Sequence, residues 1–300
     1  MLETTAHVLL AGQLVARDAT HNLLPYTPSN VLTAIGCIAY GALALVLSWN
    51  MWRHGGKYMT AMVLGCYVYS AGVALRFPLR DNLTSTNLFL VENILVTLAP
   101  CGFIATEYMI LGRLAAWLRC TRHLLIPANR ITLVFVMSDV GTFLIQGAGA
   151  AMVASTKSAN LGSTLLKIGM VVQLISFCVF VTLLFWFLYK VHREEQTTWI
   201  KDIGEGAWHD WRSLAYAVCL SCVGILVRSF YRVIEMAQGP SGHLEATEGY
   251  FYALDALPLF CALSVYVPFW PGRFVPDGIN LKAIPLDEEG SRVSLRRLDG

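Results

Sequence analysis

The residues of this chain that could do chemistry are acids, arginines and amides set among long apolar stretches. Arg228, Arg232 and Glu235 recur at spacings of four and three, which puts all three on one face of a helix. Glu248, Tyr252 and Asp255 share a face of the apolar run that follows, Arg76 closes an earlier run, and Glu92 opens the next. Gln146 and Gln173 add amides within two further runs. An ionised side chain at mid-bilayer costs roughly 2.5 kcal/mol or more unless it is paired or hydrated. Two readings of these ten residues stand side by side. One is an ion-pair network that locks helices together; the other is a hydrated vestibule that binds the polar head of an amphipath while its tail stays in hydrocarbon. Glu107 and Asp139 lie deeper, with no Lys or His near them in their own runs. They read either as polar glue between helices or as a carboxylate gate that carries protons for coupled transport.

The elements that position these groups follow from composition. Of 300 residues, 56% are AVILMFWYC and only 14% are charged, about half the usual globular share of ~25%. The charges cluster between apolar stretches, so the solvent for most of the chain is a bilayer. Runs near the ~20 residues needed to cross hydrocarbon occur at about 31–49, 58–76, 88–112, 131–153, 167–189, 213–235 and 248–270. The expected fold is all-α, a bundle of seven transmembrane helices, and continuous apolar runs exclude the alternating strands of a β-barrel. Residues 1–30 form a segment before the bundle, 31–270 the bundle, and 271–300 a polar tail.

Basic residues are retained on the cytosolic side. Arg53 and Lys57, then Arg113, Arg119, Arg122 and Arg130, then Lys190, Arg193, Lys201 and Arg212, share one side with the tail's Arg273, Lys282, Arg292, Arg296 and Arg297. The N-terminus is therefore expected outside and the tail in the cytosol. The single sequon, Asn82-Leu83-Thr84, then falls in an outer loop, which makes Asn82 the candidate glycosylation site. The functional faces of the last two helices fall in the outer half of the bilayer on this orientation.

Smaller marks complete the pattern. Gly141, Gly147 and Gly149 near Asp139 suit close helix approach, and Pro100, Gly102, Pro258 and Pro268 are candidate kinks. Trp49, Trp52, Tyr58, Trp186, Tyr189, Tyr266, Phe269 and Trp270 fall at inner helix ends and read as interfacial anchors. Most of the eight Cys lie in apolar runs and read as small fillers. Trp199, Trp208 and Trp211 in the fifth connector read either as an effector surface or as an interfacial segment. The tail beyond Pro271 and Gly272 reads as disordered or lying on the membrane surface.

The missing chemistry narrows the function. All seven His lie outside the runs, so no intramembrane zinc site or Ser–His pair is expected. No Walker or dinucleotide-binding glycine motif is present. The reading is of a protein that is not an enzyme, needs no cofactor or metal, and binds no nucleic acid, with a formal charge of only +2.

Four ordered blocks carry a family resemblance: Leu98 to Arg113 (LAPCGFIATEYMILGR), Phe135 to Gly149 (FVMSDVGTFLIQGAG), Val227 to Glu235 (VRSFYRVIE) and Glu248 to Pro258 (EGYFYALDALP). With Tyr26-Thr27-Pro28-Ser29 and Gly72…Arg76 they resemble the fungal lipid-translocating exporters, also called RTA-like proteins, over about residues 26–272. The resemblance implies a seven-helix exporter or floppase of amphipathic lipids such as sphingoid long-chain bases, or of toxic hydrophobic compounds, serving resistance or stress response. It implies the plasma membrane, with an internal membrane as the alternative, and lipids or small amphipaths as partners. Tyr69 and Val73 depart from the family pattern, in which acidic and aromatic residues are common before Arg76, so Arg76 is expected to depend on Glu92. The competing function is a seven-helix receptor or stress sensor that recruits a cytosolic partner through its connectors.

Overall fold

The computed structural model describes residues 28–82, 85–153, 159–200, 210–238 and 248–277. The segment 1–27, two of the three sequon residues, Trp208 and the tail from 278 lie outside the described residues; Asn82 itself caps the short helix before it and is exposed. Among the described residues the regular structure is helical: α1 (Asn30–His54), α2 (Thr60–Ala74), α3 (Arg76–Asp81), α4 (Thr86–Trp117), α5 (Ala128–Val153), α6 (Ala159–Glu194), α7 (Gln196–Ile200), α8 (Trp211–Gln238), α9 (Glu248–Tyr250), a π turn (Phe251–Ala256), α10 (Leu257–Ser264) and α11 (Pro271–Phe274). Six stretches, with α2 and α3 counted together, are long and apolar enough to cross a membrane. Their outward faces carry large exposed apolar side chains, among them Ile38, Leu45, Leu144 and Ile175, which only a lipid environment tolerates in such number.

Most helices overrun the apolar windows because a backbone leaving hydrocarbon keeps its internal hydrogen bonds until a cap or breaker intervenes. The second run breaks at Leu75 instead, so Arg76 opens α3 where the sequence has it closing a helix. Pro78 is the reason: without an N–H it cannot bond the carbonyl four residues back, at Ala74. The last run, expected helical over 248–270, is helical only to Ser264 and passes through the π turn on the way. Consecutive helices pack as neighbours, α1 on α2, α2 on α4, α4 on α5, α5 on α6, α6 on α8 and α8 on α10. The π turn leans on α1 and α8, so the ring of helices closes.

Four expectations about local packing change. Tyr58, Tyr266 and Trp270 are buried, not interfacial: Tyr58 Oη donates to the Val275 carbonyl and Trp270 Nε1 to the Gly55 carbonyl. Trp49, Trp52, Trp186 and Tyr189 do stand exposed at helix ends. The stretch 271–277 is packed and not loose, with Phe274 and Val275 buried and Asp277 accepting the backbone N–H groups of Gly56 and Lys57. That turn runs through Gly55 and Gly56 at φ of 71° and 90°, where a Cβ would be strained. Gly149 does meet α6 closely, since a Cβ there would lie 2.8 Å from the Gly162 carbonyl oxygen, but Gly141 and Gly147 face open space. In the fifth connector Trp211 is buried and stacks edge-on against Trp199, which in turn meets His192, so both rings pack the connector onto α6.

Candidate functional site

Arginines and acids pair off across the helices. Arg76 Nε donates to Glu92 Oε1 at 2.8 Å, and its guanidinium lies 3.7 Å above the Phe251 ring. This links α3 to α4, as expected if no acid precedes Arg76 in the second run. Asp255, fully buried in the π turn, accepts Arg232 Nε at 2.5 Å and Tyr69 Oη at 2.9 Å, and pairs with Arg228 Nε at 3.2 Å. Arg232 Nη1 also reaches Glu235 Oε2 at 3.1 Å, and Tyr231 Oη holds the other Glu235 oxygen at 2.7 Å. Arg228, Arg232, Asp255 and Glu235 therefore form a quartet whose formal charge is zero, which a low-dielectric setting requires. The π turn matters because its widened turn, closed by Leu257 N–H to the Tyr252 carbonyl, carries Asp255 in the middle.

Glu248 stands apart from that cluster. Its carboxylate accepts the Ser29 backbone N–H at 2.9 and 3.1 Å, at the N-terminus of α1, where the unpaired amides and the helix dipole favour an anion. Tyr252 likewise turns toward α1, with Oη 3.4 Å from Thr33 Oγ1.

A proline explains the last arginine contact. Pro100 lies inside α4 and cannot bond the carbonyl four residues earlier, at Val96. Arg228 Nη2 takes that carbonyl at 3.1 Å, so α8 docks on α4 through an acceptor that the proline sets free.

On the other side of the arginines lies a small cavity of about 40 Å³, bounded by Thr97 and Pro100 of α4, Gln146 of α5, Gln173 of α6, and Arg228 and Arg232 of α8. That is room for a few waters, since one needs ~10–15 Å³. Gln146 Nε2 donates to Gln173 Oε1 at 2.8 Å, while Gln146 Oε1 is buried with no hydrogen-bond partner among the described residues. Leu174 lines both this cavity and an apolar groove of about 430 Å³ between α6 and α8, formed also by Ile175, Cys178, Val179, Thr182 and Phe230. Of the ten residues singled out in sequence, four thus meet at the cavity: Gln146, Gln173, Arg228 and Arg232. Asp255 and Glu235 back the arginines, Arg76 and Glu92 form a separate pair beside Phe251, and Glu248 and Tyr252 hold α1.

The two deeper acids occupy separate sites joined by neighbouring residues of α4. Glu107 is fully buried and accepts Ser221 Oγ at 2.6 Å and Tyr266 Oη at 2.6 and 2.8 Å. Asp139 Oδ2 accepts Tyr108 Oη at 2.9 Å, and its Oδ1 is buried without a partner among the described residues. Neither forms an ion pair among the described residues. Tyr69, Tyr108, Ser221 and Tyr266 were not singled out as partners from sequence. Ser221 had a signal, since it precedes Arg228 by seven residues and so shares its face of α8; Pro100 had one for the Val96 carbonyl.

The family model described as RTA1 like protein matches residues 62–278, which include every element of this cluster except α1. The chain belongs to the RTA1-like family. It is 29% identical to Protein RTA1 of Saccharomyces cerevisiae over 216 residues, covering 72% of this chain and 66% of that protein. It is 32% identical to Protoporphyrin uptake protein 1 of the same yeast over 210 residues, 70% of this chain and 66% of that one. The Sphingoid long-chain base transporter RSB1 of Saccharomyces cerevisiae is 24% identical over 223 residues, 64% of this chain and 58% of that protein. The chain thus spans about two thirds or less of the length of these relatives. No solved structure matches it. Together with six apolar helices, the family places the chain among multi-pass integral membrane proteins, and relatives named as lipid transporters tie the family to lipid-related membrane transport.

Proposed function

We propose that the chain is an exporter-like translocase that moves single-chain amphipathic lipids or toxic hydrophobic compounds between leaflets, without covalent chemistry, and so contributes to resistance. One observation carries the reading: a polar cavity at two arginines shares Leu174 with an apolar groove open between α6 and α8. A head in the cavity keeps its polar partners while the chain remains in hydrocarbon. In this reading the stretch 248–270 completes seven crossings, the N-terminus lies outside, and the plasma membrane is the site of action. The test is reconstitution into vesicles with a labelled sphingoid long-chain base and, in parallel, its 1-phosphate. Movement of at least one above the rate in protein-free vesicles is the expected result; movement of neither overturns the proposal.

Glu107 and Asp139 are the groups that would couple this movement to a proton gradient. Each is buried, bonded to a tyrosine hydroxyl, and without a cation among the described residues. The expected result is that a pH gradient changes the rate in the unaltered protein and that Asp139→Asn removes the response while downhill movement continues. An unchanged pH response in Asp139→Asn removes Asp139 from coupling.

A further inference from the structure

We propose that the cavity between α4, α5, α6 and α8 selects an anionic head. The spare guanidinium donors of Arg228 and Arg232 take a phosphate or carboxylate, and Gln146 takes a hydroxyl or N–H donor beside it. The proposal rests on the amphipath reading above and adds the sign of the head.

The donor count supplies the argument. Arg228 holds Nε 3.2 Å from Asp255 as an ion pair without a hydrogen bond and commits Nη2 to the Val96 carbonyl, which leaves Nη1 without a partner among the described residues. Arg232 commits Nε to Asp255 and Nη1 to Glu235, which leaves Nη2 without a partner among the described residues. Both side chains line the cavity, and among the described residues no carboxylate does. Asp255 has no exposed surface, and Glu235 is turned to Tyr231 and Arg232. A cation entering from the groove therefore meets the donor edges of two guanidiniums and no acceptor acid; an anion meets two charge-assisted donors. Since the quartet is already neutral, the anion is held by oriented donors and not by a net opposite charge, which suits a site that must also release its guest.

Gln146 adds an independent observation. The residue lines the cavity and is only 4% exposed; its Nε2 is fixed on Gln173, and its Oε1 is buried with no donor beside it among the described residues. Buried acceptors are normally satisfied, so this oxygen marks where a donor on a guest would sit. The guest is then a single alkyl chain along Leu174, Ile175, Val179 and Phe230, an anion at the arginines, and a hydroxyl or N–H close to that anion.

The experiment uses the purified full chain in nanodiscs of neutral phosphatidylcholine and reads displacement of a fluorescent alkyl probe by hexadecyl phosphate, palmitate, hexadecylamine and hexadecanol. Hexadecyl phosphate and palmitate are expected to bind about tenfold or more tightly than the amine and the alcohol. The order between the first two tells phosphate from carboxylate. Gln146→Glu sets a carboxylate on the lining at nearly constant shape and is expected to reverse the order, with the amine now favoured over the phosphate by about tenfold. Ser229→Asp, also on the lining, serves the same purpose should the first variant fail to fold. Equal binding of all four, amine binding as tight as phosphate in the unaltered protein, or an unchanged order in a folded variant overturns the anionic assignment and leaves the amphipath reading standing. Binding of none overturns both.

Discussion

Asp255→Asn is expected to cost the protein about 3–5 kcal/mol of stability, seen as a large fall in unfolding temperature and in the yield of monodisperse protein. The carboxylate accepts from Tyr69 and Arg232 and pairs with Arg228, with no exposed surface. Neutralising it leaves a quartet of charge +1 in hydrocarbon, and the new amide N–H₂ points a donor at groups that are themselves donors. The double change Asp255→Asn with Arg228→Met restores neutrality through the remaining Arg232–Glu235 pair. It does not restore the Val96 carbonyl, whose lost partner costs about 1–3 kcal/mol. The double variant is therefore expected to be more stable than the sum of the single losses by about 1–3 kcal/mol. Strict additivity would mean that the four charges do not act as one unit.

Gly224→Ala carries the second large effect, expected at about 1–3 kcal/mol or more of destabilisation. A Cβ at Gly224 would lie 2.5 Å from the Pro258 carbonyl oxygen and 2.8 Å from Ala262 Cβ. The first of these is backbone, so α8 and α10 must move apart as bodies. Arg228 lies one turn beyond Gly224 on α8, and Asp255 lies just before α10, so the same separation would stretch the quartet. Gly141→Ala is the control: nothing lies within 4 Å of its Cβ position, and alanine is the better helix former by ~1 kcal/mol. Unfolding curves of the two variants in one detergent check the contrast. Equal stability of Gly224→Ala and the unaltered chain would show that α8 and α10 tolerate a wider spacing.

Much of the site was legible because helical spacing is local. Arg228, Arg232 and Glu235 share a face whatever surrounds them, and Arg76 with Glu92 is a short-range pairing across one connection. Other assignments failed for an equally physical reason. An aromatic at a helix end looks the same in sequence whether it stands exposed, as Trp52 does, or folds back to bond a carboxylate, as Tyr266 does with Glu107. Glu248 looks in sequence like one more acid of the vestibule, yet its partner is a backbone N–H 219 positions away. Glycines near Asp139 look alike, but only Gly149 faces a neighbouring backbone.

By itself the sequence determined the solvent and the class of element. So apolar a chain must satisfy its backbone internally, which means helices, and any charge inside them must be placed for a partner or a guest. Only the tertiary structure decided which charges cancel and which donors remain. Those pairings join residues far apart in the chain, Tyr69 with Asp255 and Val96 with Arg228, and depend on how helices rotate against one another about their axes. Rotation by a fraction of a turn would seal Arg228 and Arg232 or expose them, and no local pattern of residues encodes that angle.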